Sequence, residues 1–274
     1  VWPIQVSLGN LTGSGQTVCV VDSGIDYTHP ALGGCLGTNC KVRGGFDFFN
    51  NDTNPMDDSG HGTHVVGIVA ANGNVRGVAP DANLIAVKVC NANGNCSSSA
   101  MIAGVNYCVS YMNSLGTKVI TMSLGDSGSY NTNNCPNWMD FAINSANSLN
   151  LPFVAASGND AHKNGISYPA CSPNVISVGA VYDANVGSQV WQVCTDSITS
   201  ADRVTCFSNS GNNLDLMAPG SIITSTVSSA GNRCGAPNSG GSGDCSGTSM
   251  AAPHVAGTIA LMKQSMPSLS PFQI

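Results

Sequence analysis

Glutamate is absent from this chain: all 15 acidic residues are aspartates, set against nine lysines and arginines in 274 residues. Charge is scarce altogether, at 9 % of residues, and a net charge of −6 removes the basic patch that nucleic acid partners require. No apolar run approaches the ~18 residues of a membrane-spanning helix. An initiator methionine and a signal segment are also missing, so Val1 reads as the start of a processed or trimmed product. No internal repeat or low-complexity linker divides the chain, which favours one domain over residues 1–274. Phosphate-loop chemistry is excluded by position, because Gly13-Ser14-Gly15 precedes its strand rather than following it.

What is present begins with a hydrophobic content of 42 %, ample for one core, and a rhythm of short apolar runs alternating with helical patterns. Thr17–Val21, Leu84–Val89, Lys118–Met122, Phe153–Ala156 and Val175–Ala180 read as buried parallel strands. Met101, Val105, Cys108, Met112 and Leu115 fall at helical spacing and form the apolar face of a connecting helix. Strand and helix in alternation predict an α/β fold: three layers, doubly wound, with a mostly parallel sheet and helices on both faces. In such folds ligands bind at the carboxyl edge of the strands, where Asp22, Ser123 and Asn159 fall.

Twelve cysteines, an even number, indicate disulfides and an oxidising compartment. Short separations suggest Cys35 with Cys40, Cys194 with Cys206 and Cys234 with Cys245. Cys19 and Cys108 lie in apolar runs, where buried free thiols are the plain alternative.

Three segments carry chemistry. Ser246-Gly247-Thr248-Ser249-Met250-Ala251-Ala252-Pro253 sets Ser249 between a glycine turn and a helix start, where positive potential suits a nucleophile that generates an oxyanion. Asp22 ends the strand Thr17–Val21 and is followed by the chain-breaking Ser23-Gly24. His61 lies in Ser59-Gly60-His61-Gly62-Thr63-His64, a glycine-flanked turn that runs into an apolar helix. Singly, Asp22 reads equally as a turn aspartate and Ser249 as a helix cap. A metal site at His61 and His64 lacks a third ligand signature. Together the three supply nucleophile, base and orienting carboxylate. His29, His64, His162 and His254 are assigned structural roles.

In these motifs, and in the order Asp, His, Ser, the chain resembles the subtilisin-like serine proteases from about Gly15 onward. The resemblance implies a secreted, monomeric endopeptidase, without organic cofactor, that forms an acyl-enzyme on Ser249 and acts on protein or peptide substrates after removal of an N-terminal propeptide. It assigns Asn159, in Ala155-Ala156-Ser157-Gly158-Asn159, as side-chain donor to the oxyanion. Ser123-Leu124-Gly125 and Ala156-Ser157-Gly158 become the walls of the pocket for the residue before the scissile bond, with Ser167 near its base. Gly94, Asn95 and Cys96 become the strand that pairs with extended substrate. Asp126 and Asp160 then form either an acidic rim to that pocket or ordinary solvated surface. The family's usual ion is calcium. Its strong site is not expected, because the loop at residues 72–76 is short and Ala31 replaces a ligand; the stretch 47–54, with Asp47 and Asp52, resembles a second calcium loop and reads equally as a plain polar loop. Relative to compact members, Val186–Thr205 and Ser228–Asp244 are disulfide-rich insertions, and the stretch 268–274 opens the family's last helix and stops after one turn.

Two rivals keep the fold but not the hydrolysis. One is a binding protein without turnover; the other is a transferase that passes the acyl group to an amine.

Overall fold

In β1 (Thr17–Asp22) successive side chains point to opposite faces of the sheet, and every residue is buried, so the strand must be covered on both sides. Val18 and Val20 join one hydrophobic cluster while Cys19 and Val21 join another. The computed structural model, which describes residues 11–235 and 241–274, places a layer of helices over each cluster. The first layer is α1 (His61–Ala70) with α4 (Thr248–Ser265), and the second is α2 (Ser98–Ser110) with α3 (Asp140–Ser148).

The central sheet is parallel throughout. It contains β1, β2 (Val42–Asp47), β3 (Asn83–Lys88), β4 (Thr117–Met122), β5 (Phe153–Ala156), β6 (Ile176–Val181) and, after a small antiparallel pair β7 (Gln189–Val190) and β8 (Thr195–Asp196), β9 (Leu216–Pro219). Its order is β2-β3-β1-β4-β5-β6-β9. β10 (Ile223–Thr226) pairs antiparallel with β11 (Ser242–Cys245) beside α1. The three-layer, doubly wound α/β architecture expected from the sequence is the one found.

Five of the seven strands coincide with the apolar runs. The other two, β2 and β9, carry weak strand signals, because β2 holds Gly44-Gly45 and β9 ends in Pro219. Helix α2 ends at Ser110, so Met112 and Leu115 continue its apolar stripe from the turn beyond it and still pack on the core.

Six disulfides form, and no cysteine among the described residues is free. Cys35–Cys40, Cys194–Cys206 and Cys234–Cys245 join as their short separations suggest. The alternative of free thiols at Cys19 and Cys108 is corrected: strand β1 and helix α2 bring them together across 89 residues of chain. Cys90–Cys96 and Cys135–Cys171 complete the set. The insertion at 186–205 folds as the β7–β8 hairpin, whose Trp191 donates from Nε1 to the Tyr182 hydroxyl at 3.0 Å and meets Phe207 edge-on. Of the second insertion, residues 236–240 lie outside the described residues, as do residues 1–10. At the far end, Gln273 and Ile274 N–H groups both donate to the Ser270 carbonyl, closing one turn.

Candidate active site

Asp22 is carried out of the core at the carboxyl end of β1 and is 1 % exposed. Its Oδ1 accepts from the Ser23 N–H and from His61 Nδ1, each at 2.7 Å, while Oδ2 has no partner among the described residues. Donation from Nδ1 fixes the tautomer and leaves His61 Nε2 as the basic nitrogen. Burial opposes protonation of His61, but the Asp22 charge and hydrogen bond outweigh it and hold the imidazole above its usual range.

The close approach of His61 to Asp22 depends on how α1 begins. Gly62 must be glycine, since a Cβ there would lie 2.1 Å from the Gly24 carbonyl oxygen. The buried Asp57 anchors the same turn. Its Oδ1 accepts from the Ser59 and Gly60 N–H groups and the Ser23 hydroxyl, and its Oδ2 accepts from the Thr63 N–H and hydroxyl. An acid that satisfies orphan N–H groups at a helix N-terminus is well placed for both capping and dipole. Behind it Lys88, 1 % exposed at the end of β3, donates to the carbonyls of Ser23 and Cys90 at 2.8 Å and pairs with Asp58 at 2.5 Å.

Ser249 is the second residue of α4. Its hydroxyl donates to the Ser123 carbonyl at 2.9 Å, and the Ser123 hydroxyl donates back to the Ser249 carbonyl at 2.9 Å. The second bond exists because of Pro253. Having no N–H, Pro253 leaves the carbonyl four residues earlier without its helical partner. Ser249 Oγ forms no hydrogen bond to His61 Nε2 in this arrangement; such bonds are often loose before substrate binds.

Asn159 follows β5. Its Oδ1 accepts from the Thr248 N–H at 2.8 Å and the Thr248 hydroxyl at 3.0 Å. A backbone N–H can only donate, so the oxygen must face Thr248 and the NH₂ must face away, toward the cleft. Gly247 leaves room for it, since a Cβ there would stand 3.3 Å from Asn159 Nδ2.

Asp22, His61, Asn159 and Ser249 line one cleft of about 600 Å³. Among the expected substrate residues, Gly94, Asn95, Cys96, Ser123, Leu124, Gly125, Ala156 and Gly158 line it too, as do Asp126 and Asp160. Ser157 does not: it is fully buried and its hydroxyl donates to the Asn209 carbonyl. Ser167 is likewise buried, and Tyr168 and Pro169 take the place expected for it in the lining. Gly94–Cys96 is a tight loop closed by Cys90–Cys96 rather than a long strand. Met101, read from its spacing as part of the helix's apolar face, also lines the cleft, as do Trp138 and Arg233, which no sequence signal beyond residue type marked. Asp57 was legible in principle, as an acid just ahead of a helix start.

Four side chains from four separate junctions, Asp22, His61, Asn159 and Ser249 in chain order, thus converge on one cleft as a carboxylate, an imidazole, an amide and a hydroxyl. A model of the Subtilase family (Peptidase_S8) matches residues 13–274. The chain belongs to the subtilase family. It is 38 % identical to Subtilisin E of Bacillus subtilis over 270 residues, covering 96 % of this chain and 59 % of that protein. With Subtilisin Savinase of Lederbergia lenta it shares 39 % over 267 residues, 96 % of this chain and 82 % of the other. A solved cold-adapted subtilisin-like serine proteinase superposes with a TM-score of 0.75 at 32 % identity, covering 97 % of this chain and 81 % of that one. The chain spans only 52 % of the thermophilic serine proteinase of Bacillus sp. (strain AK1) and 59 % of Subtilisin E.

Members of the family commonly bind calcium, but the loop at 47–54 of this subtilase does not fit the ion as it stands. Asp47 Oδ1 accepts from the Phe49 and Asn50 N–H groups and Oδ2 from the Asn50 side chain, so donors rather than oxygens surround it. Asp52 Oδ1 is turned to the Asn54 N–H. Among the described residues no three His, Cys, Asp or Glu side chains are grouped to hold a metal.

Proposed function

We propose that this subtilase domain is a secreted serine endopeptidase that cleaves proteins and peptides through an acyl-enzyme on Ser249. The observation that carries the proposal is the convergence of Asp22, His61, Ser249 and the cleft-facing amide of Asn159 around one cavity. Substrate entry turns the Ser249 hydroxyl from the Ser123 carbonyl toward His61 Nε2. Ser249 Oγ then attacks the scissile carbonyl carbon as His61 takes the proton. The resulting imidazolium is held by Asp22, whose charge already raises the His61 pKa. The oxyanion is received by Asn159 Nδ2 and the Ser249 N–H, an orphan donor in the first turn of α4. His61 returns its proton to the leaving amine, the C–N bond breaks, and water repeats the sequence to free Ser249.

The pocket between Ser123–Gly125 and Ala156–Gly158 takes the side chain before the scissile bond. Its lining of Leu124, Ala156, Tyr168 and Pro169 suits large apolar groups, and Asp126 and Asp160 at its rim admit basic ones. Secretion is supported by the six disulfides, which persist in oxidising compartments. An internally quenched peptide assay tests the reading. Wild type cleaves it, and Asn159→Ala loses about 10²- to 10³-fold in kcat with its circular dichroism unchanged. Equal turnover in wild type and Ser249→Ala refutes it.

A further inference from the structure

Arg233 takes no part in the triad or the oxyanion donors, yet it lines the same cleft as His61 and Ser249. It belongs to the second insertion. Its N–H donates to the Ser59 carbonyl at 3.0 Å, two residues from His61. Its Nη1 donates to the Asn93 carbonyl at 3.1 Å, and the guanidinium lies against Gly94, where a Cβ would come within 1.9 Å of Nη1. Both supports are braced covalently. Cys234, the next residue, is bonded to Cys245, and Cys90–Cys96 closes the loop that presents Asn93 and Gly94.

This placement leaves a cation without an anion. The ion pairs among the described residues are His61–Asp22 and Lys88–Asp58. Asp58, which shares an adjoining surface hollow with Arg233, is therefore already taken. The Arg233 charge is close enough to disfavour protonation of His61. The same cleft also carries Asp126, next to Gly125, and Asp160, two residues after Gly158, so charges of both signs line it.

We propose that Arg233 is a specificity-determining residue that selects substrates with an acidic side chain on the acyl side of the scissile bond, two or three residues before it, next to Gly94–Cys96. The inference rests on the proposed peptidase function. A guanidinium with most of its five donors uncommitted suits a carboxylate, which it can grip by two parallel hydrogen bonds. The position just before the scissile bond is not the one selected, because the rim of its pocket carries Asp126 and Asp160. A purely structural Arg233, one that only ties its loop to Asn93, loses all substrates alike when replaced.

The test compares quenched peptides identical except for Asp or Lys two, and then three, residues before the cleaved bond. In wild type the Asp peptide is favoured at one of these positions by about three- to tenfold in kcat/KM, the range for an exposed charge contact combined with repulsion of the wrong charge. Arg233→Gln abolishes that ratio and Arg233→Glu inverts it; each ratio is taken within one variant, so a general loss of activity cancels. A ratio that is the same in wild type and Arg233→Glu overturns the proposal. If no peptide is cleaved, the peptidase reading fails separately. The same Asp-to-Lys ratio, read as Kd by fluorescence anisotropy on Ser249→Ala with and without Arg233→Glu, then decides the Arg233 proposal by the same criteria.

Discussion

At the residue scale the site is governed by which groups can only donate and which can only accept. Thr248 N–H fixes the oxygen of Asn159, and the Thr248 hydroxyl both donates to that oxygen and accepts from the Gly158 N–H at 3.1 Å. Thr248→Val keeps the backbone bond and deletes the rest, so kcat falls by about tenfold while KM changes little, as steady-state kinetics will show. His61 must be neutral to act as a base, and its pKa is raised. The acid limb of the kcat/KM profile therefore lies above pH ~6.5, the ordinary histidine value. Because Arg233 opposes protonation, Arg233→Gln moves that limb to higher pH, and a shift the other way contradicts the assigned field. Asp22, His61 and Ser249 could be picked out because each stands where a recognisable strand or helix meets a glycine-marked turn, whereas Asn159 was singled out only through the resemblance to the subtilisin-like proteases. Arg233 was not, since a lone arginine in a Gly- and Ser-rich insertion carries no periodicity that says where it ends up.

At the scale of elements, two helix starts do the positioning. Helix α1 is anchored by Asp57, every one of whose contacts is a donor. Asp57→Asn turns an NH₂ group toward those donors and costs about 1–3 kcal/mol, measurable as a lower denaturant midpoint with unchanged slope. Helix α4 is opened at Pro253, which releases the Ser249 carbonyl to the Ser123 hydroxyl. Pro253→Ala restores a helical N–H that competes for that carbonyl. The expected outcome is kcat lower by about tenfold with thermal stability kept or raised, and unchanged kcat shows that the Ser123 contact does not position the nucleophile. Among strands, β2 escaped the sequence reading because Gly44-Gly45 interrupts its apolar run, and only pairing with β3 makes it a strand. The Cys19–Cys108 bond escaped because nothing local links a strand to a helix face 89 residues away.

At the scale of the whole molecule, burial sets the response to acid. His64 donates from Nε2 to the Ile223 and Gly243 carbonyls, and His254 bonds the Met250 carbonyl through Nδ1. Burial pushes both pKa values down to about 4. The unfolded chain protonates them from about pH 6.5, so the folded state loses stability as pH falls from there to about 4 and levels off below. His61 runs the other way, its raised pKa favouring the fold below about pH 6.5. The His61 gain is complete below about pH 6.5, so thermal scans from pH 6.5 to 4 show a falling midpoint, with a shallower slope in His254→Gln. The same folding brings residues from positions 22, 61, 159 and 249 to one cleft, and the central claim is that this assembly activates Ser249. Intact mass and peptide mapping after a fluorophosphonate, beside Ser249→Ala, test it most directly. One stoichiometric adduct on Ser249, absent from the variant, is the predicted result; a folded protein that takes no adduct, or takes it elsewhere, contradicts it.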